Sequence, residues 1–489
     1  MSRPAHGPGS GAPRIGALLV IGLLLTLSGE LPARAGPPPL PQAIQDPLSQ
    51  FSSHIDHIVF VMLENHPFDN YFGTYCTKTS RICPNAVNGL PNGTCIPFNT
   101  SNLSRGCIRP YPFTPKNWTL PNDLRHSQNS SLRAWDHGKM DGFWNAEGKS
   151  RVPYGYYAAS TIPLYWDLAE QYGLGDSFFS TAQSYSLPNH WDSLAGVSPP
   201  EVVNYTLFNG TTGGTPPAFV RSVYLHQAAN TSTVEDLLKA HNATSWTYYD
   251  YALGNFTKAS NTSKNGVGGL NNSFDYWNPL GAKAESYVAP LRNHFVPNTQ
   301  FFSDAQNGTL PSLSWVIPFA AESDHPQHNT TRAEAWLANV VDAVESGPEW
   351  NTTALFITWD DYGGFYDHVA PPRLAHTQLS FRVPVIVISP YTPRGKVVAQ
   401  NLSFYSILAL MEKRFGLGCL QPTDCSTPLP LRFFNFSLAP RAPILFPTNV
   451  SAWIYPMAPQ EPNAAYAPLS FVAASAFTND PGGNGPDAD

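Results

Sequence analysis

An α/β fold built on a parallel sheet is expected from three features of this chain. Short apolar runs recur at His54 to Leu63, Ala354 to Thr358 and Phe381 to Pro390; the middle one is free of charge and reads as a strand buried on both faces. Thr331 to Ser346 reads as an amphipathic helix, with Trp336, Val340 and Val344 on one stripe and Leu337 and Val341 beside it. It follows a strand at Ser314 to Pro318 and leads into Ala354 to Thr358, the strand–helix–strand order of a parallel sheet. Polar residues stand where these strands end: Glu64-Asn65, Glu322 with Asp324-His325, and Asp360-Asp361. Open α/β sheets place their ligands there.

Taken in order, the chain begins with Arg3 and Arg14, an uncharged apolar stretch from Ile15 to Leu27, and Ala33-Arg34-Ala35. That is the layout of a secretory signal peptide over residues 1–35, an uncleaved anchor being the competing reading. Residues 36–52, rich in Pro and Gln, read as a loose linker. The strand His54 to Leu63 opens a large domain, 53–455. Cys76 to Cys107 reads as a disulfide-tied loop region, Tyr165 to Tyr172 as helix, and 200–275 as loops elaborating one face. A short helix near Val234 to His241 and a strand around Ser245 to Tyr249 interrupt those loops. Asn401 to Arg414 closes the domain as a helix, and residues 456–489 form a tail rich in Pro and Ala.

Composition narrows the class. The chain has 489 residues, 42% hydrophobic, only 13% charged, with a net charge of −7, so it can bury a large core. No basic tract or basic excess exists, which argues against nucleic acid. Sparse charge means little self-repulsion when carboxylates protonate, and so suits acidic surroundings. The six cysteines fall in two local groups, Cys76, Cys83, Cys95 and Cys107, then Cys419 and Cys425, as expected of an oxidising compartment. The last two close one small loop; the first four allow three pairings, and their spacing is not that of a zinc site. Eighteen Asn-x-Ser/Thr sites between Asn92 and Asn449 agree with a secreted or cell-surface glycoprotein.

The segment TALFITWDDYGGFYDH, Thr353 to His368, carries the strongest chemical signal. Asp360 and Asp361 follow a buried strand without a turn residue, and two adjacent carboxylates repel unless a cation joins them; a hard divalent metal is the simplest partner. A helix-capping Asp beside a solvated one is the bland alternative. Gly363 and Gly364 let the backbone turn sharply, so that His368 comes back towards the same place. Ser186 reads either as a nucleophile at a helix start or as an N-cap. His126, in a polar loop, is by itself more often a surface residue than a functional one.

Five blocks then carry a resemblance: Glu64-Asn65-His66-Pro67-Phe68-Asp69-Asn70-Tyr71-Phe72-Gly73, Ser186-Leu187-Pro188-Asn189-His190, His325-Pro326, Trp359 to His368, and Arg382-Val383-Pro384. In this order they resemble the secreted phosphoesterase family of bacterial phospholipases C and respiratory-burst-inhibiting acid phosphatases. The resemblance implies an alkaline-phosphatase-like α/β/α sandwich with a large, mostly parallel sheet and loop insertions. It implies that Glu64, Asn65, Asp360 and Asp361 hold a divalent metal of unknown identity, and that Ser186 is the nucleophile. His126, His325 and His368 would surround the phosphate, one of them protonating the leaving alcohol. The partners implied are a phosphate monoester or a phospholipid, the latter met at a membrane surface. Departures from the family pattern, among them His190 where Pro-Asn-Arg is usual and Asp-Asp where Asp-Glu is, touch the substrate. The alternative is a catalytically silent, glycosylated surface-binding protein on the same fold.

Overall fold

The computed structural model describes residues 46–447 except 76–86, 99–103, 105, 115–118, 199–229, 242–243, 251–278, 281–293 and 376. The signal peptide, the first part of the linker, the tail at 456–489, Cys76, Cys83 and most of the 200–275 loops lie outside the described residues.

Eight strands form one sheet: β1 His57–Leu63, β2 Gly173–Gly175, β3 Trp246–Asp250, β4 Phe295–Pro297, β5 Leu313–Val316, β6 Thr353–Trp359, β7 Val385–Ile388 and β8 Lys396–Val398, in the spatial order β8-β2-β7-β6-β1-β5-β3-β4. All pairings are parallel except the two made by β7, which runs against β6 and β2. The α/β class and the mostly parallel sheet are therefore as expected. Every residue of β6 is buried, as its uncharged, mostly apolar sequence requires of a central strand covered on both faces. The N-terminal strand β1 lies between β5 and β6, so the helix Thr330–Ser346 that joins those two crosses over it. Asn329 caps this helix by accepting from Thr331 N at 3.0 Å, and Trp336, Leu337, Val340, Val341 and Val344 are buried.

Residues 47–54, placed partly in the loose linker by their composition, are instead a helix. Pro47 occupies its first turn, where no N–H is needed, Asp46 accepts from Ser49 N at 3.1 Å, and Phe51 is buried. The strand expected from His54 therefore begins at His57. Cys419 pairs with Cys425 as expected, and among the four earlier cysteines Cys95 pairs with Cys107. No helix among the described residues is long and apolar enough to cross a membrane.

Candidate active site

Register brings the two acidic pairs together. β1 and β6 align from His57 opposite Thr353 to Leu63 opposite Trp359, so Glu64-Asn65 and Asp360-Asp361 leave the same edge side by side. Asp360 N donates to Leu63 O at 2.9 Å and Glu64 N to Ser323 O at 2.9 Å, which draws in the loop after β5 as well. Asn65 has a left-handed backbone, φ 62°, and its N–H donates to Asp360 Oδ1 at 2.7 Å. A non-glycine residue held there stores strain of the kind found at ligand sites. The same Oδ1 accepts from Asp361 N at 2.8 Å, and Asp361 Oδ1 accepts from Gly363 N at 2.6 Å. Gly363 has φ +54°, and a Cβ on it would meet Asn65 O at 2.2 Å, so only glycine lets these two loops touch.

The helix Ser186–Ala195 supplies the next group. Tyr185 is its N-cap and Ser186 its first helical residue, so the cap reading of Ser186 does not hold. The Ser186 hydroxyl lies 3.1 Å from Glu64 Oε2, 3.2 Å from Asn65 Oδ1 and 3.5 Å from Asp361 Oδ2. One hydroxyl hydrogen can serve only one of these three acceptors. Asn189 fixes the helix start: its Oδ1 accepts from Thr181 N and Ala182 N at 3.1 and 2.9 Å, and its Nδ2 donates to Tyr185 O at 3.0 Å.

One turn after Ser186, His190 faces the same cluster, its Nε2 2.9 Å from Glu64 Oε1 and 3.9 Å from Asp360 Oδ2. Sequence reasoning marks His190 only as a departure from a family pattern. The signal that could have found it is its i, i+4 spacing from Ser186, which puts both on one helix face.

Glu64, Asn65, Ser186, Asp360 and Asp361 are all wholly buried. Burying charged carboxylates costs several kcal/mol per ion, by order of magnitude, unless a cation compensates. Asp360 Oδ2 and Asn65 Nδ2 have no hydrogen-bond partner in the protein. Ligand atoms of Glu64, His190 and Asp360 all lie within 4.8 Å of one another. The oxygen-rich donor set and the unpartnered Asp360 Oδ2 fit a divalent cation, whereas Asn65 Nδ2, an N–H donor, can only face an anion.

The three expected histidines divide. His126 and His325, both buried, meet at Asp123, whose Oδ2 is 3.8 Å from His126 Nδ1 and 3.6 Å from His325 Nε2. Their loops are fastened to the acidic pairs. Tyr362 bonds Ser131 at 3.2 Å and Arg125 O at 3.4 Å, a Cβ on Gly364 would meet Leu124 Cβ at 2.5 Å, and His66 Nε2 is 2.8 Å from Asp324 O. His66 stacks on Tyr71 and Phe365, and burial drives its pKa down to about 3 against the hydrogen bonds to Asp324 and Asn70, so the ring is neutral. Burial also pushes Asp324 up to about 7, although Tyr71 and Trp359 donate to it.

His368 sits in another set of contacts. Its Nδ1 is 2.6 Å from Asp69 Oδ2 and its Nε2 3.3 Å from Asn88 Oδ1. The fully buried Arg382 donates to Asp69 Oδ1 at 2.9 Å and to both oxygens of Asp367 at 3.1 Å, with Phe68 under its guanidinium. Burial works against charge on His368, yet the hydrogen bond and charge of Asp69 more than offset it and raise the pKa above the usual histidine value.

An acid-lined cluster with a serine at the carboxyl edge of a mostly parallel sheet places the chain among α/β proteins that hold ligands at strand ends. The phosphoesterase family model matches residues 55–418, so the chain belongs to that family, hydrolases of phosphoric ester bonds. Over 410 residues it is 28% identical to phospholipase C A of Mycobacterium tuberculosis (strain ATCC 25618 / H37Rv), covering 74% of this chain and 73% of that protein. It is 28% identical to the non-hemolytic phospholipase C of Burkholderia pseudomallei, over 78% of this chain and 58% of that one. It is 23% identical to non-specific phospholipase C6 of Arabidopsis thaliana, over 76% and 69%. A protein in the alkaline phosphatase superfamily from Vibrio parahaemolyticus is similar in structure, with TM-score 0.33 and 11% identity over 55% of this chain and 64% of that one.

Proposed function

We propose that this chain is an exported, metal-dependent phosphoric ester hydrolase with Ser186 as nucleophile, acting on phospholipids as a phospholipase C or on phosphate monoesters as an acid phosphatase. The observation that carries the reading is the Ser186 hydroxyl set 3.1 Å from Glu64, with Asn65 and Asp361 beside it. A divalent cation held by Glu64, Asn65, Asp360 and Asp361 would lower the pKa of that hydroxyl and neutralise phosphate oxygens. Ser186 Oγ attacks phosphorus, the ester P–O bond breaks and the alcohol leaves with a proton; water then attacks the phosphorylated serine and restores its hydroxyl, releasing inorganic phosphate from a monoester or the phosphorylated headgroup from a phospholipid. His126, its Nδ1 2.6 Å from Leu124 O, and His325, with the Asp123 carboxylate near both rings, donate to phosphate oxygens, and one of them protonates the leaving oxygen. His368, held by Asp69, is assigned a positioning role for the loop after Asp361.

The convergence of serine and acids supports catalysis over the silent binding protein. The names of the relatives favour a phosphodiester lipid. Two disulfides and the sequence of residues 1–35 support export. The test is hydrolysis of p-nitrophenyl phosphate and p-nitrophenyl phosphorylcholine, with and without chelator. Preference for the choline diester supports the phospholipase C, preference for the monoester the phosphatase, and no activity on either in folded, metal-loaded protein overturns the reading.

A further inference from the structure

We propose that His190 is a nitrogen ligand of the cation shared by Glu64 and Asp360, and that this imidazole makes the site select zinc over magnesium and calcium. The assignment rests on the metal-dependent reading above and adds to it a ligand and a metal class.

Position is the first ground. His190 Nε2 lies 2.9 Å from Glu64 Oε1 and 3.9 Å from Asp360 Oδ2, and the three ligand atoms fall within 4.8 Å of one another. Zinc bonds nitrogen and oxygen donors at about 2.0–2.2 Å, so donors around it stand roughly 3–4 Å apart.

The second ground is the state of Asp360. Its Oδ1 is occupied by the N–H groups of Asn65 and Asp361, at 2.7 and 2.8 Å. Its Oδ2 is buried, has no hydrogen-bond partner, and is the oxygen that faces His190. An ion pair between a protonated His190 and Glu64 would leave that oxygen unsatisfied, because 3.9 Å is too long for a hydrogen bond. A cation between His190, Glu64 and Asp360 satisfies all three groups at once.

The third ground is rigidity. Ser186 and His190 project from one face of a wholly buried helix, so the nucleophile and the nitrogen donor are fixed relative to each other. A nitrogen donor among oxygens favours a borderline metal, since magnesium and calcium take oxygen shells.

The experiment uses the full chain, stripped with chelator and dialysed against zinc or magnesium, as wild type, His190→Gln and Asp360→Asn. Metal content and zinc X-ray absorption are read, with melting curves as the check on folding. The expected result is zinc uptake in preference to magnesium with imidazole scattering in the wild type. In His190→Gln the zinc affinity falls at least about tenfold, the imidazole contribution drops and magnesium binding is kept. Zinc affinity and imidazole scattering unchanged in His190→Gln, with metal lost in Asp360→Asn, would overturn the ligand assignment and leave the metal site standing. A wild type that takes up neither metal would overturn the metal-dependent reading itself. If His190→Gln melts early, His190→Asn replaces it; zinc bound to the wild type without imidazole overturns the assignment with no variant at all.

Discussion

Glu64 Oε2 accepts the hydroxyl of Ser186 at 3.1 Å across 122 residues of sequence, and both side chains are wholly buried. Strand β1 delivers one and the start of a helix delivers the other, so the contact exists only once the sheet and that helix have packed.

The two histidines at Asp123 are separable by leaving group. His126→Asn and His325→Asn should each lower kcat by roughly 10²-fold or more on an alkyl phosphate ester. The variant missing the general acid should lose far less on p-nitrophenyl phosphate, whose leaving group needs no proton. Equal losses on both esters in both variants would remove the general-acid role from this pair.

Gly363 ties the acidic pairs together. Gly363→Ala places a Cβ 2.2 Å from Asn65 O and forces a non-glycine residue to φ +54°, so it should cost at least ~1–2 kcal/mol from backbone conformation alone. Denaturant melts should show this loss, and metal affinity should fall with it because Asn65 must move.

Arg382 compensates two buried carboxylates. Arg382→Met removes the buried cation that Asp367 and Asp69 Oδ1 share, leaving Asp69 only its pairing with His368, and should destabilise the fold by ~3–5 kcal/mol in equilibrium unfolding. Asp69→Asn should lower the pKa of His368, read by NMR titration, because Asp69 is what raises it against burial.

Stability should fall as pH rises. Burial pushes Glu345 up to about 8 and Asp342 up to about 7. Burial, with hydrogen-bonded Asp424, pushes Glu412 up to about 9. Each carboxyl binds its proton more tightly when folded, so its contribution is fully present below the unfolded carboxylate pKa of about 4 and is lost as pH rises through about 7 to 9. The metal-free protein should therefore show a higher Tm at pH 5 than at pH 9. Glu345→Gln, which keeps a neutral partner for Tyr172, should flatten that slope. A Tm maximum in alkali would contradict both this and the acid tolerance expected from sparse charge.

The parts of the fold legible in the sequence were those with a local cause. β6 and its acid pair could be read because an uncharged apolar run ending in two carboxylates marks both a buried strand and its ligand-bearing edge within a few residues. The direction of β7 could not, since an apolar run such as Val385 to Ile388 reads the same either way, and neither could the insertion of β1 between β5 and β6. Pro47 hid a helix because proline is equally at home in a loop and in a first turn. Ser186 stayed ambiguous because its partners, Glu64 and Asp361, are distant in sequence, while cap and nucleophile look alike locally. His190 and Asp123 were overlooked for the same reason: their meaning lies in groups brought to them by the sheet.

The most direct test is steady-state hydrolysis of p-nitrophenyl phosphorylcholine and p-nitrophenyl phosphate by Ser186→Ala, with folding checked by thermal melt and metal content measured on the same sample. Loss of turnover by about 10³-fold or more in folded, metal-bearing protein is the expected result. Turnover at the wild-type rate would contradict the assignment of Ser186 as the nucleophile.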